Sequence, residues 1–274
     1  MDDIYYNILT FLSLHDIYQC CQVNKQIYGV SKNEQLWKLF YVNKLSDYDI
    51  VGNYYNTCKK YCCLSKLTCI LNYNKSITEL YNQPKIYCLN RENPYTTIPT
   101  EIVFLDNVQQ LIFGFNKISE IPIELCLLKN LQKLYLGGNL ISVIPPEISL
   151  LNNLTNFHAD DNDISEIPIE LCLLINLQKL NLSGNKISVI PPEISLLTNL
   201  VELGLNINSI TIIPTELCLL NKLRQLGLSG NSITIIPEEL FTNNLDELYI
   251  YENPIKSYEY SYRNNTKIYY HRYE

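Results

Sequence analysis

The residues best able to do chemistry in this 274-residue chain cluster around His158, which is followed by Asp160, Asp161 and Asp163. An imidazole beside three carboxylates has the donor types for a divalent cation, or for a base oriented by an acid. The spacing supports neither. No second histidine stands near, and the run lacks the glycine that a calcium loop needs at its sharp turn. On an extended backbone His158 and Asp160 project to one face while Asp161 turns into a corner, so the three acids do not converge. Gly137-Gly138 and Ser183-Gly184 are also poor phosphate loops, because no Lys-Ser/Thr pair follows either of them. No hydroxyl or thiol nucleophile has a visible base. The reading is therefore a chain that is not an enzyme and needs neither metal nor cofactor.

The ten cysteines have the look of a disulfide set without its geometry. Cys126, Cys172 and Cys218 stand 46 residues apart, each closing an IELC or TELC run. If that spacing is two turns of a stacked array, they lie about 10 Å apart at a strand spacing near 4.8 Å, beyond disulfide reach. They read as small buried hydrophobes in a reducing compartment. Cys58, Cys62, Cys63 and Cys69 are clustered, but no CxxC pair and no nearby His makes them a zinc set. Buried helix cysteines is the reading for them.

What positions all these residues is a repeat. Leu177–Asn199 reads LxxLxLxxNxIxxIPxEIxxLxN, and copies of it begin at Lys85 (degenerate), Val108, Leu131, Leu154, Leu177, Leu200 and Leu223, with a truncated one at Leu245. A fixed 23-residue period marks a solenoid whose units bury their apolar faces only by stacking. LxxLxL alternates as a half-buried strand does, with Leu177, Leu180 and Leu182 inward and Lys179, Asn181 and Ser183 outward. At the ninth position an amide supplies donors and an acceptor to backbone groups that lose their ladder partners at the corner. Asn116, Asn139, Asn162, Asn185, Asn208, Asn231 and Asn253 should form that internal ladder, whereas Asn206 belongs to the solvated outer face. In the return, Pro191 and Pro192 hold the chain extended, and Glu193 favours the start of a short helical or 3₁₀ turn. Ile187, Ile190, Ile194 and Leu197 supply its core. ISEIPIELCLL recurs unchanged at Ile118–Leu128 and Ile164–Leu174, and ISVIPPEISLL at Ile141–Leu151 and Ile187–Leu197, so the array grew by duplicating a two-coil block.

This pattern resembles the leucine-rich repeat, in its 23-residue, Ras-suppressor-like form, over about two thirds of the chain. The resemblance implies an α/β solenoid, an arc with a parallel β-sheet on its concave face. Two outward columns then follow from the register. One runs Leu89, Ile112, Tyr135, His158, Asn181, Gly204, Gly227, Tyr249, and its neighbour runs Arg91, Gly114, Gly137, Asp160, Ser183, Asn206, Ser229, Tyr251. Tyr135, His158, Asp160 and Asn181 form one contiguous mid-array patch, with Tyr249 and Tyr251 as further aromatic anchors, on the expected target-binding face.

Residues 1–44 lie outside the repeat and carry apolar residues at helical spacing. Ile8-Leu9-Thr10-Phe11-Leu12, Leu14-His15-Asp16-Ile17, Val23-Asn24-Lys25 and Leu36-Trp37 are similar to the F-box, a small all-α module, and align with it without gaps. The Leu-Pro that opens the box in that family is absent, and Ile27 stands where Trp or Phe is common. The resemblance implies that Ile8, Leu9, Leu12, Leu14, Ile17, Val23, Leu36 and Trp37 dock a Skp-type adaptor and, through it, a cullin ligase core. The repeats would hold a target protein, and the chain would be monomeric outside that complex. Residues 45–84 read as a helical linker and N-terminal cap, 85–256 as the repeats, and 257–274, with six tyrosines, as either a closing cap or a tail.

Composition narrows the partners. From Lys85 to Lys256 there are 19 acidic and 10 basic residues, leaving 28 − 19 = 9 acidic and 21 − 10 = 11 basic in the flanks. An array this acidic argues against nucleic acid, whose phosphates need clustered Lys and Arg, and favours neutral or basic protein surfaces. No run approaches the roughly 20 apolar residues of a membrane span and no secretory signal is visible. The expected location is the cytoplasm or nucleus. One Ala and four Arg beside 17 Lys fit AT-rich coding, as in a large DNA virus or a protist.

Overall fold

A computed structural model describes residues 67, 71, 80–88, 94–242, 245–255 and 267–269. The F-box expectation, with its eight docking side chains, lies outside the described residues, as do Cys58, Cys62, Cys63 and Cys69 and most of the expected linker. The chain divides into two units, 1–83 with 101–107, and 84–100 with 108–274. In the first, Leu67, Leu71 and Leu80 are buried, and the Leu71 N–H donates to the Leu67 carbonyl at 2.9 Å.

The second unit is a leucine-rich-repeat solenoid. Nine short strands pair in chain order and all in parallel: β1 (Lys85–Tyr87), β2 (Gln110–Ile112), β3 (Lys133–Tyr135), β4 (Asn156–His158), β5 (Lys179–Asn181), β6 (Glu202–Gly204), β7 (Gln225–Gly227), β8 (Glu247–Tyr249) and β9 (Lys267–Tyr269). From β2 to β7 each residue faces the one 23 positions on, as in Leu134↔Phe157, Phe157↔Leu180 and Leu180↔Leu203. The middle residue of each of these strands is buried and its neighbours are more open, except Gly227 of β7, which is covered by Asn206. The alternation in LxxLxL dictates this, since a one-residue slip would turn every leucine to water.

The first coil departs from the period. Tyr87, and not Leu89, is the partner of Ile112, so the outward column begins two residues earlier than a uniform repeat places it. The first coil is 25 residues long, and without a leucine triplet to pin its register the period alone could not place its strand. At the other end the sheet continues beyond the truncated copy. β9 pairs with β8, and the rings of Tyr249 and Tyr269 stack at 4.6 Å and 7°.

The returns are single 3₁₀ turns, such as Pro146–Leu150, Ile169–Leu173 and Pro192–Leu196. Pro191, at φ −67° and ψ 144°, is extended before the turn, the geometry a following proline enforces. Ile187, Ile190, Ile194 and Leu197 are at most 3% exposed. Each such side chain contributes about 1.5–3 kcal/mol by leaving water, and the core is continuous only because the next coil covers it. Cys88, Cys126, Cys172 and Cys218 are buried free thiols. Burial pushes Cys126 and Cys172 up to about 12.

Between strand and return the backbone passes through a left-handed corner in every coil from the second on. Phe115, Asp161, Ile207 and Glu252 hold φ between 51° and 55°, and Gly138, Gly184 and Gly230 hold 65–69°. Glycine adopts this conformation freely, and a β-branched residue such as Ile207 does not. Bulky and glycine corners alternate. The Phe115 ring lies where a Cβ on Gly138 would stand, 2.9 Å from its Cδ1, and Asp161 and Ile207 lie likewise over Gly184 and Gly230.

Candidate protein-binding face

The corner amides are held by one bonding scheme. The Oδ1 atoms of Asn116, Asn139, Asn162, Asn185, Asn208, Asn231 and Asn253 each accept a backbone N–H from the coil before, at 2.9–3.0 Å. Their Nδ2 atoms donate to a carbonyl of that same preceding coil, at 2.8–3.0 Å. This fixes where each strand ends, and so where the outward side chains stand.

The outward face carries two recesses that share His158. One, of about 350 Å³, is lined by Ile112, Gly114, Phe115, Tyr135, Gly137, His158 and Asp160. The other, of about 250 Å³, extends from His158 past Lys179, Asn181, Ser183, Glu202 and Asn206 to Tyr249. The glycines make both. Asp160 lies over Gly137 with its carboxylate oxygens 2.9 Å from where a Cβ would be, and Asn181 and Asn206 lie over Gly204 and Gly227. Tyr135 packs on His158 at 4.9 Å between ring centroids, tilted 37°. Burial holds the His158 pKa below its ordinary value, against the pull of Asp160 and Glu202, so the ring is neutral at pH 7. Its Nε2 is buried and has no hydrogen-bond partner among the described residues. Lys179 is paired with Glu202. Tyr249 donates to Glu247 at 2.8 Å, and that bond, with burial second, raises the phenol to about 12.

Of the residues singled out in the sequence, Tyr135, His158 and Asp160 meet in the first recess, and His158, Asn181 and Tyr249 line the second. Tyr251 lines neither. Asp161 and Asp163 turn away from His158, Asp161 to its corner and Asp163 to a 2.6 Å pair with Lys186. Asn206 is not simply a solvated residue. Its Oδ1 accepts the Ser229 N–H at 3.0 Å, and the Ser183 Oγ accepts the Asn206 N–H at 3.2 Å, a second side-chain ladder beside the asparagine one. Reading alternate side chains as outward left no room for a polar group that faces out and still bonds its neighbour's backbone. Phe115 escaped the sequence reading. It is 75% exposed, stands in a left-handed corner and walls the first recess. The one trace of it in the sequence is that every second coil has glycine at its place, at Gly138, Gly184 and Gly230.

Family models match three segments of the chain: F-box-like at residues 2–43, and leucine-rich repeat at 130–151 and at 175–233. The chain combines an F-box-like segment with leucine-rich repeats. Among solved structures, the repeats are similar to a leucine-rich-repeat protein of Leptospira interrogans, with 33% identity, 61% of this chain and 48% of that one covered, and a TM-score of 0.54. They are also similar to internalin C2 of Listeria monocytogenes, with 25% identity, 72% and 86% covered, and a TM-score of 0.60. A third likeness is to the plant peptide hormone receptor RGFR1, solved with RGF2, with 29% identity, 58% and 27% covered, and a TM-score of 0.54. The F-box and leucine-rich-repeat chain spans about half the length of the Leptospira protein and about a quarter of the receptor. No curated protein sequence matches it. Among the described residues, no helix is long and apolar enough to cross a membrane.

Proposed function

We propose that this chain is the substrate-recognition adaptor of an SCF-type ubiquitin ligase. The F-box-like segment docks a Skp-type adaptor, and through it a cullin core, using Ile8, Leu9, Leu12, Leu14, Ile17, Val23, Leu36 and Trp37. The outward sheet face, around Tyr135, His158, Asp160 and Asn181, holds the target protein. The chain itself performs no chemistry and needs no cofactor; it acts by bringing the target close to a conjugating enzyme. The observation that carries this reading is the presence, on one chain, of an F-box-like match at residues 2–43 and a sheet face with two open recesses. A 23-residue coil with 3₁₀ returns supports the Ras-suppressor-like class, and the coding bias supports a large DNA virus or a protist as source. The complex would then work in the cytoplasm or nucleus, in the viral case that of the host.

The test is co-purification of the full chain with a Skp adaptor. Binding at micromolar concentration, lost in Leu9→Ala/Leu12→Ala and in Trp37→Ala while the thermal unfolding of the repeats is unchanged, is the expected result. A wild-type chain that never binds the adaptor overturns it. The second reading is a stand-alone repeat scaffold or decoy. It is favoured by the solved neighbours, whose likeness covers 58–72% of the chain, and it predicts target binding with no adaptor attached.

A further inference from the structure

We infer that the recess between β2 and β4 is an arginine pocket, reading a basic extended segment of the target. This deepens the assignment of the sheet face as the target surface and rests on it. Three features converge there. The floor at Gly114 is backbone, with only the Gly137 carbonyl beside it and the Asp160 carboxylate lying over Gly137 next to it, so a long, thin group can lie flat there and end at the acid. Aromatic rings stand at its sides, the Phe115 ring over Gly138 and the Tyr135 ring against His158. Its remaining polar end is the Asp160 carboxylate, lying over Gly137, next in the chain to the glycine that Phe115 covers. Ring and carboxylate are therefore neighbours across the two glycines.

Such a site suits a side chain with an apolar stem and a flat cationic head. Guanidinium stacks on aromatic faces, is weakly hydrated, and matches a carboxylate with two parallel N–H donors; an ammonium does none of these as well. Among the described residues nothing already fills the role. Asp160 has no ion pair among the described residues, and the nearby lysines are taken, Lys179 by Glu202 and Lys186 by Asp163. The charge balance of 19 acidic to 10 basic residues across 85–256 draws in a basic segment. Phe115 also keeps 75% of its surface in water from a backbone conformation that a phenylalanine rarely adopts. Asp161, Ile207 and Glu252 share that corner conformation, and what sets Phe115 apart is the large apolar ring it holds at the recess.

The test uses ¹⁵N-labelled full-length protein titrated with capped pentapeptides of serine and glycine around a central arginine, lysine or citrulline. Citrulline keeps the shape of arginine and loses the charge. The arginine peptide should shift the amides of Gly114 and Gly137 saturably and bind at least about tenfold tighter than the citrulline peptide. Asp160→Asn should reduce the arginine peptide to the citrulline level and leave citrulline unaffected, and Phe115→Ser should weaken both. Equal affinity for arginine and citrulline, or for arginine and lysine, overturns the proposal. So does an arginine peptide that shifts only amides outside the recess. Adaptor co-purification is scored separately: its loss with the pocket intact sinks the ligase reading alone, and the reverse result sinks only the pocket.

Discussion

Replacing Asn185 by alanine tests the corner scheme on which the sheet face depends. In the native protein Asn185 Oδ1 accepts the Ile164 N–H at 2.9 Å. Its Nδ2 donates to the carbonyls of Ala159 at 2.9 Å and Leu182 at 3.0 Å, with a longer contact to Ser183 at 3.2 Å. Ala159, Ile164 and Leu182 are fully buried, so the groups left behind have little access to water. An unpaired buried donor or acceptor costs roughly 1–3 kcal/mol. Only the Ile164 N–H is orphaned, because the Ala159 carbonyl keeps the Asn162 Nδ2 at 3.2 Å and the Leu182 carbonyl keeps the Asn208 Nδ2 at 3.0 Å, so the expected loss is about 1–3 kcal/mol. Asn206→Ala, which forfeits chiefly the Ser229 bond, should lose about 1 kcal/mol. Urea unfolding of the full chain gives the midpoints, and amide exchange gives a local readout, since the Ile164 N–H should lose protection first. An Asn185→Ala midpoint equivalent to less than about 0.5 kcal/mol of change, or unaltered Ile164 exchange, would refute the reasoning.

Ile207→Gly should raise stability by about 1 kcal/mol in urea titration, because a strained left-handed corner costs of order 1–3 kcal/mol and glycine returns about 1 kcal/mol of that as chain entropy. Cys126 and Cys172, with thiols at about 12, should resist iodoacetamide at pH 8 in the native protein and react once it is unfolded, as read by peptide mass mapping. His158 has a folded pKa below its unfolded one, so the unfolded state takes up the proton first as pH falls. Its contribution is full above about pH 6.5, declines from there down to the folded pKa and is flat below it. The difference in unfolding midpoint between pH 7.5 and pH 5 should therefore shrink in His158→Gln.

The regular coils were legible because two independent signals agree at each one. Leu177, Leu180 and Leu182 fix which face is buried, and Asn185 fixes where the strand stops. The first coil has Asn93 at the ninth position of the period but no leucine triplet, and its outward column starts at Tyr87, two residues before the place a uniform period assigns it. The recesses were legible only in part. Tyr135 and His158 are visible as large residues in an outward column, but the space beside them exists because Gly114 and Gly137 let neighbouring side chains lie down. Phe115 and the bonding of Asn206 depend on backbone angles and on donors one coil away, which hydrophobic periodicity does not encode.

The alternating corners also set the step in which such a molecule can change length. A bulky corner is accommodated because the next coil offers a glycine. Removing a glycine-cornered coil would bring two bulky corners together, and a Cβ at Gly184 would already collide with the Asp161 carboxylate. Removing two restores the parity, as adding two does. Growth and loss by 46 residues are thus sterically free, whereas losing the Gly184 coil alone should misfold at the seam and losing the Asp161 coil alone should not, since Gly138 then meets Gly184. A glycine-cornered coil can leave such an array only together with a bulky neighbour.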